Sequence, residues 1–188
     1  MFTLLFASVC GATSGNSISV TVLGLEPVDN KVYVLIEGGE FPDLQYVNLD
    51  RPDDWVRVHS WFQGQDWEQA YPARLEGLQA RLTPLEARAL TGLVIQESIT
   101  AELPCPNVDA EYHCLAQQTQ VAIRDGSGHQ AQWTHLSQGD SGVIKAWTLP
   151  NQDVLVLYRH QGLFYEGGYS VERPVLLTQP SGPSAPTD

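Results

Sequence analysis

The octapeptide Trp55-Val56-Arg57-Val58-His59-Ser60-Trp61-Phe62 holds the residues of this sequence best suited to hold a ligand. Read as a strand, its side chains alternate between two faces. Val56, Val58 and Phe62 would line the core, leaving Trp55, Arg57, His59 and Trp61 on the opposite face. Indole rings stack on a sugar or another apolar ligand, and a guanidinium fixes a carboxylate through paired hydrogen bonds. A second segment, 129–136, repeats the theme with His129, Trp133 and His135 on one side. Were the two strands neighbours, a surface lined by Trp and His would result. The competing reading covers this face with helices from residues 72–91, making the tryptophans core and pairing Arg57 with an acid. Amphipathic Trp and Arg are commonly half buried for packing alone.

Other chemistry is less well supplied. Gly139-Asp140-Ser141-Gly142 resembles the nucleophile loop of trypsin-like serine proteases. That chemistry also needs a histidine base and a buried aspartate, each placed by its own segment. No Ala-Ala-His-Cys-like segment occurs, His59 sits inside a strand pattern, and a hairpin turn accounts for the four residues. The 5 histidines, at 59, 113, 129, 135 and 160, show neither His-x-His nor His-Glu-x-x-His spacing. His129 and His135 would lie about 20 Å apart along one strand face, too far to chelate one ion. No metal site and no cofactor is therefore expected. Among 22 acids no spacing singles out a catalytic pair. Phe164-Tyr165-Glu166-Gly167-Gly168-Tyr169 suits a ligand-contacting loop or, more simply, a tight turn.

Charge and cysteines narrow the partners and the compartment. With 22 acidic and 10 basic side chains the net charge is −12, and no Lys/Arg cluster interrupts it. Such a field repels phosphate backbones and anionic headgroups, so nucleic acid is not an expected partner. Met1-Phe2-Thr3-Leu4-Leu5-Phe6-Ala7-Ser8-Val9 is apolar and runs into small residues at Cys10-Gly11-Ala12, as a secretory signal does. It is too short to span a bilayer, which needs about 20 apolar residues. The positive n-region is missing, so an apolar N-terminal strand is the alternative. A lipid anchor at Cys10 would normally follow a small residue, whereas bulky Val9 stands there. Once residues 1–12 are removed, Cys105 and Cys114 remain, and a disulfide in an oxidising compartment is the favoured reading. A metal site using Cys105, His113 and Cys114 is disfavoured, because neighbours in an extended chain point apart. Export to the periplasm, envelope or exterior is expected, with a cytoplasmic protein as the alternative.

The elements that must position these residues are mostly strands. Residues 17–50 read as three strands joined by turns at Glu26-Pro27-Val28-Asp29-Asn30 and Gly38-Gly39. Further strands are expected at 55–62, 93–103, 115–124, 129–136, 143–149 and 153–160, with a last one near 175–177. Val154-Leu155-Val156-Leu157-Tyr158 should be the most buried. Between 66 and 91 the period changes to helical. Leu75, Leu78 and Leu82 share a helix face, and Thr83-Pro84-Leu85-Glu86 carries the signature of a helix start. Two short helices, 72–82 and 84–91, are therefore expected. The whole predicts an α+β fold: a mostly antiparallel β-sheet meander, able to close into a sandwich, with a two-helix insertion around 66–91. The domain would span 13–178 and end in a disordered tail, 179–188, rich in Pro and Ser. The function expected is a non-enzymatic exported binding or envelope-associated domain with a glycan, peptide or protein ligand. Its rival is a hydrolase with a site assembled from distant strands, His59 or His135 acting with a carboxylate.

Overall fold

A computed structural model describes residues 17–38, 42–58, 66–105, 114–163 and 169–180. The fold is mostly antiparallel β-sheet with one short helix among the described residues, a β-rich α+β fold. In chain order the elements are β1 (Ser19–Glu26), β2 (Lys31–Glu37), β3 (Asp43–Asn48), β4 (Arg51–Arg57), α1 (Trp67–Gln79), β5 (Glu86–Arg88) and β6 (Val94–Pro104). They continue as β7 (Leu115–Arg124), β8 (Gln130–Ser137), β9 (Ser141–Thr148), β10 (Val154–Gln161) and β11 (Ser170–Leu177). Three sheets result, ordered β1-β2-β3-β4, β11-β10-β9-β5 and β6-β7-β8.

Strand β10 explains the layering. It is apolar on both faces, as a strand buried on both sides must be, and Val154 to Tyr158 are at most 1% exposed. Leu155 and Leu157 pack with Val20, Val32, Val34 and Val47 of the first sheet. Val154, Val156 and Tyr158 turn the other way, onto Val121 and Ile123 of β7 and Trp133 of β8. The β11-β10-β9-β5 sheet is thus the central layer. Bridges from Ile18 to Val171 and from Gln130 to Thr178 tie it to the two flanking sheets. Helix α1 closes the far side of the first sheet, its buried Leu78 packing with Tyr33 and Leu44.

The insertion differs from the two helices expected. Only α1 forms, starting earlier than 72, so Pro72 falls in its second turn and removes one helical hydrogen bond. The apolar face runs through Trp67, Tyr71, Leu75 and Leu78, one residue every turn. The second helix is replaced by sheet. Thr83 exchanges backbone hydrogen bonds with Leu25 at 2.8 and 2.9 Å. Glu86–Arg88 then pair with β9 from Thr148 to Ala146. The local capping signal at Thr83 loses to the open edge of β9, where long-range pairing takes up backbone groups that a two-turn helix would leave open at its ends. Of the expected tail, Gln179 and Pro180 are exposed, and the rest lies outside the described residues, as does the signal segment 1–12.

Candidate functional site

The aromatic residues nominated from the sequence do not form one surface. Strand β4 belongs to the first sheet and β8 to the third, with the central layer between them. The faces of β4 depart from the expectation only in part, because Val58 packs against the Tyr33–Leu44–Leu78 cluster as expected. Trp55 packs inward against the clusters around Val32, Val34 and Leu157, while Val56 is 43% exposed. Val56 sits opposite Tyr46 on the side that α1 covers. Both faces of this sheet are partly covered, so the hydrophobicity of Val against Trp could not choose between them. Arg57 ends at the rim in an ion pair with Asp43 at 2.6 Å. His59 and Trp61 lie outside the described residues.

Trp133 and His135 behave differently. Alternation on β8 turns both toward the central layer, where alternation on β10 presents Tyr158 and His160. The indole of Trp133 meets the Tyr158 ring edge-on at 4.9 Å between centroids. His135 lies 5.6 Å from the Tyr158 ring and 4.2 Å from that of His160. Arg173 of β11 is paired with Tyr158 across the ladder and lays its guanidinium over Trp133, 5.2 Å from the ring centroid. Such stacking holds the planar cation while leaving its edge donors open.

Hydrogen bonding in this cluster is divided sharply. Tyr158 donates to Glu97 Oε1 of β6 at 2.8 Å, and Ser141 of β9 donates to Oε2 at 2.6 Å. Against this, Trp133 Nε1, both ring nitrogens of His135 and His160 Nδ1 are buried without a hydrogen-bond partner among the described residues. Arg173 forms no salt bridge among them either, and its guanidinium lies against the ring of Trp133. Most buried polar groups are paired, and an unpaired one costs about 1–3 kcal/mol, so four together are unusual. Burial, with His135 and Arg173 close by, lowers His160 to about 4. Burial and Arg173 lower His135 as well. Burial raises the Tyr158 hydroxyl, which therefore stays a donor. At neutral pH both imidazoles are uncharged, each with one N–H to give. His160 also lines a surface cleft of 220 Å³ shared with Asp140, Arg159 and Tyr169.

The other nominated residues have structural partners. His129 sits at the β7–β8 turn with its Nδ1 3.2 Å from Asp125. Ser141 of the Gly-Asp-Ser-Gly segment gives its hydroxyl to Glu97. Cys105 and Cys114 form a disulfide, their Cα atoms 5.3 Å apart, and Gln138 Nε2 lies 3.1 Å from Cys114 Sγ. His113 lies outside the described residues. Among the described residues no three His, Cys, Asp or Glu side chains converge as a metal site requires.

Glu97, Tyr158, His160 and Arg173 were missed at the level of sequence. One signal for two of them existed. The alternation Val154-Val156-Tyr158-His160 carries ring side chains with polar atoms into the inward positions of an otherwise apolar strand. Nothing local marked Glu97 or Arg173, which reach the cluster from other strands. No family model, characterised protein or solved structure matches this chain.

Proposed function

We propose that this protein is an exported, non-enzymatic binding domain whose ligand is held by Trp133, His135, His160 and Arg173. The observation that carries this reading is the convergence of four buried ring nitrogens and an arginine that, among the described residues, have no hydrogen-bond partner and no acid respectively. A structure that leaves donors unpaired in this way spends stability on a site that a ligand would satisfy. A cleft lies beside His160, one member of the cluster. Catalysis fits the geometry less well. The hydroxyls of Tyr158 and Ser141 both donate to Glu97, and burial makes the Tyr158 phenol harder to deprotonate. The imidazole–carboxylate contacts among the described residues belong to His129, whose partner Asp125 holds a turn. The Cys105–Cys114 disulfide, the acidic balance and the apolar N-terminal residues support export.

The test uses the side-chain N–H signals of the full chain. Spectra of ¹⁵N-labelled protein would be followed against glucose, N-acetylglucosamine, acetate, ethylammonium and a short neutral peptide, with Trp133→Phe assigning the indole. At least one probe should move the Trp133 indole and the His135 and His160 ring signals saturably, with the effect lost in Arg173→Gln. If no probe moves them, or if the same shifts persist in Arg173→Gln, this cluster is not a binding site.

A further inference from the structure

Resting on that reading, we infer that the cluster takes a monocarboxylate, with Arg173 as its counter-ion and Trp133, His135 and His160 as flanking donors. The donor inventory comes first. Indole Nε1–H only donates, each neutral imidazole has one N–H, and a guanidinium has five donors and no acceptor. Open acceptors are fewer: each oxygen of Glu97 already receives one hydroxyl, from Tyr158 and from Ser141, and each neutral imidazole keeps a single unprotonated nitrogen. A guest that only donates, such as an amine, would meet few acceptors here, whereas a guest with two acceptor oxygens would meet an excess of donors.

Charge and shape then restrict the acceptor. One guanidinium offsets one negative charge, and the protein carries −12 overall, so a dianion is opposed by the surrounding field. The guanidinium carbon of Arg173 lies 5.2 Å from the Trp133 ring centroid, and its N–H fork matches a planar partner with two oxygens. A carboxylate is planar and carries a single charge, whereas phosphate is tetrahedral and in part a dianion at neutral pH. The stacked imidazoles add a proton linkage. A carboxylate bound beside His135 and His160 would favour their charged forms, which burial and Arg173 disfavour in the empty site. Binding should therefore take up a proton and strengthen as pH falls below neutral, by at most about tenfold per pH unit for one proton. Glu97 is the acid near His135 and Tyr158 from β6, and Arg173 is the cation facing both imidazoles from β11. These groups oppose each other across the cluster.

Acetate, its neutral isostere acetamide, and inorganic phosphate are the probes, titrated into wild-type protein under the same side-chain N–H observation. Acetate should shift the Trp133 indole and both histidine ring signals saturably, and its affinity should rise several-fold from slightly alkaline to mildly acidic pH. Acetamide should leave those signals in place, and phosphate should bind more weakly than acetate. This comparison needs no variant and so does not depend on a mutant folding. Arg173→Lys, which keeps the charge but not the fork, should weaken acetate at least several-fold. Equal effects of acetate and acetamide, tighter phosphate binding, or an affinity flat with pH would each overturn the carboxylate assignment. If glucose or the peptide moves the ring signals and acetate does not, the binding-domain reading survives and this inference fails. If no probe moves them, both fail.

Discussion

The rings of His135 and His160 lie 4.2 Å apart, tilted 45° to each other, with the half-buried Arg173 close by, an arrangement that disfavours charge on either ring. Burial and these neighbours hold His160 near 4, against 6.5 for a free imidazole. A base whose folded-state value is depressed binds fewer protons folded than unfolded through that window, so stability rises with pH there. His160 thus contributes no penalty above about pH 6.5 and a growing one as pH falls toward 4, on the order of 1 kcal/mol per pH unit. His160→Gln should flatten the pH dependence of the urea midpoint between those values. An unchanged slope would mean that His160 is already protonated in the folded state. Trp55 makes the complementary case for packing. Trp55→Ala should destabilise by about 3 kcal/mol through the cavity left against Val32 and Val34, without moving the side-chain signals of the Trp133 cluster.

At the scale of elements, the β7–β8 hairpin is held by a buried charge network. Asp125 Oδ1 accepts the backbone N–H groups of Ser127 and His129, each at 2.9 Å. Its Oδ2 receives Arg88 of β5 at 3.1 Å, and the His129 ring lies 3.2 Å away. Burial alone would raise this carboxyl, but the bonds from the His129 backbone, Arg88 and the His129 ring outweigh it and hold it below the usual value of 3.8. Asp125→Ala should cost about 3 kcal/mol, because it leaves Arg88 and two backbone donors without their acceptor. A depressed carboxyl contributes its stability above the unfolded-state value and loses it as pH falls further. The difference between wild type and variant in chemical denaturation should therefore shrink only below about pH 4. The same network gives β5 its place. Arg88 reaches across from the strand that replaced the second helix, linking that segment to a turn on another sheet.

For the whole molecule, the disulfide and the N-terminal residues connect architecture to compartment. Cys105 and Cys114 close a short loop, with a sequence separation of 9, between β6 and β7. Reducing it should lower stability by about 2–3 kcal/mol in the chain-entropy account. A thermal melt with and without reductant, on protein containing Cys105→Ser with Cys114→Ser as reference, would measure the loss. Among the described residues no helix is long and apolar enough to cross a membrane. Export predicts that protein from its native host lacks residues 1–12 and two hydrogens in its non-reducing intact mass. A full-length, fully reduced mass from the cytosol would remove the case for export.

Much of the strand inventory was legible because strand periodicity is local. The segment 115–124 coincides with β7, and the continuous apolar run Val154–Tyr158, expected to be the most buried strand, is at most 1% exposed. Turn residues marked most hairpins, and the close pair of cysteines in a turn-rich segment anticipated their bond. What periodicity could not carry was which sheet each strand joins and which of two covered faces looks inward. Trp55 was expected either on an exposed face or as core beneath helices, and only the packed sheets show it buried with α1 covering the other face. The Thr83 helix start failed because a local capping preference of about 1 kcal/mol competes with an open strand edge that only the fold creates. The site itself is the clearest instance. Glu97, Trp133, His135, Tyr158 and Arg173 come from four strands in two sheets, and their meeting depends on register between layers. Sequence determined the alternation that turns each side chain to one face, through backbone geometry that acts over two residues. Tertiary structure alone decided which faces meet, because side-chain packing between sheets joins residues far apart in the chain.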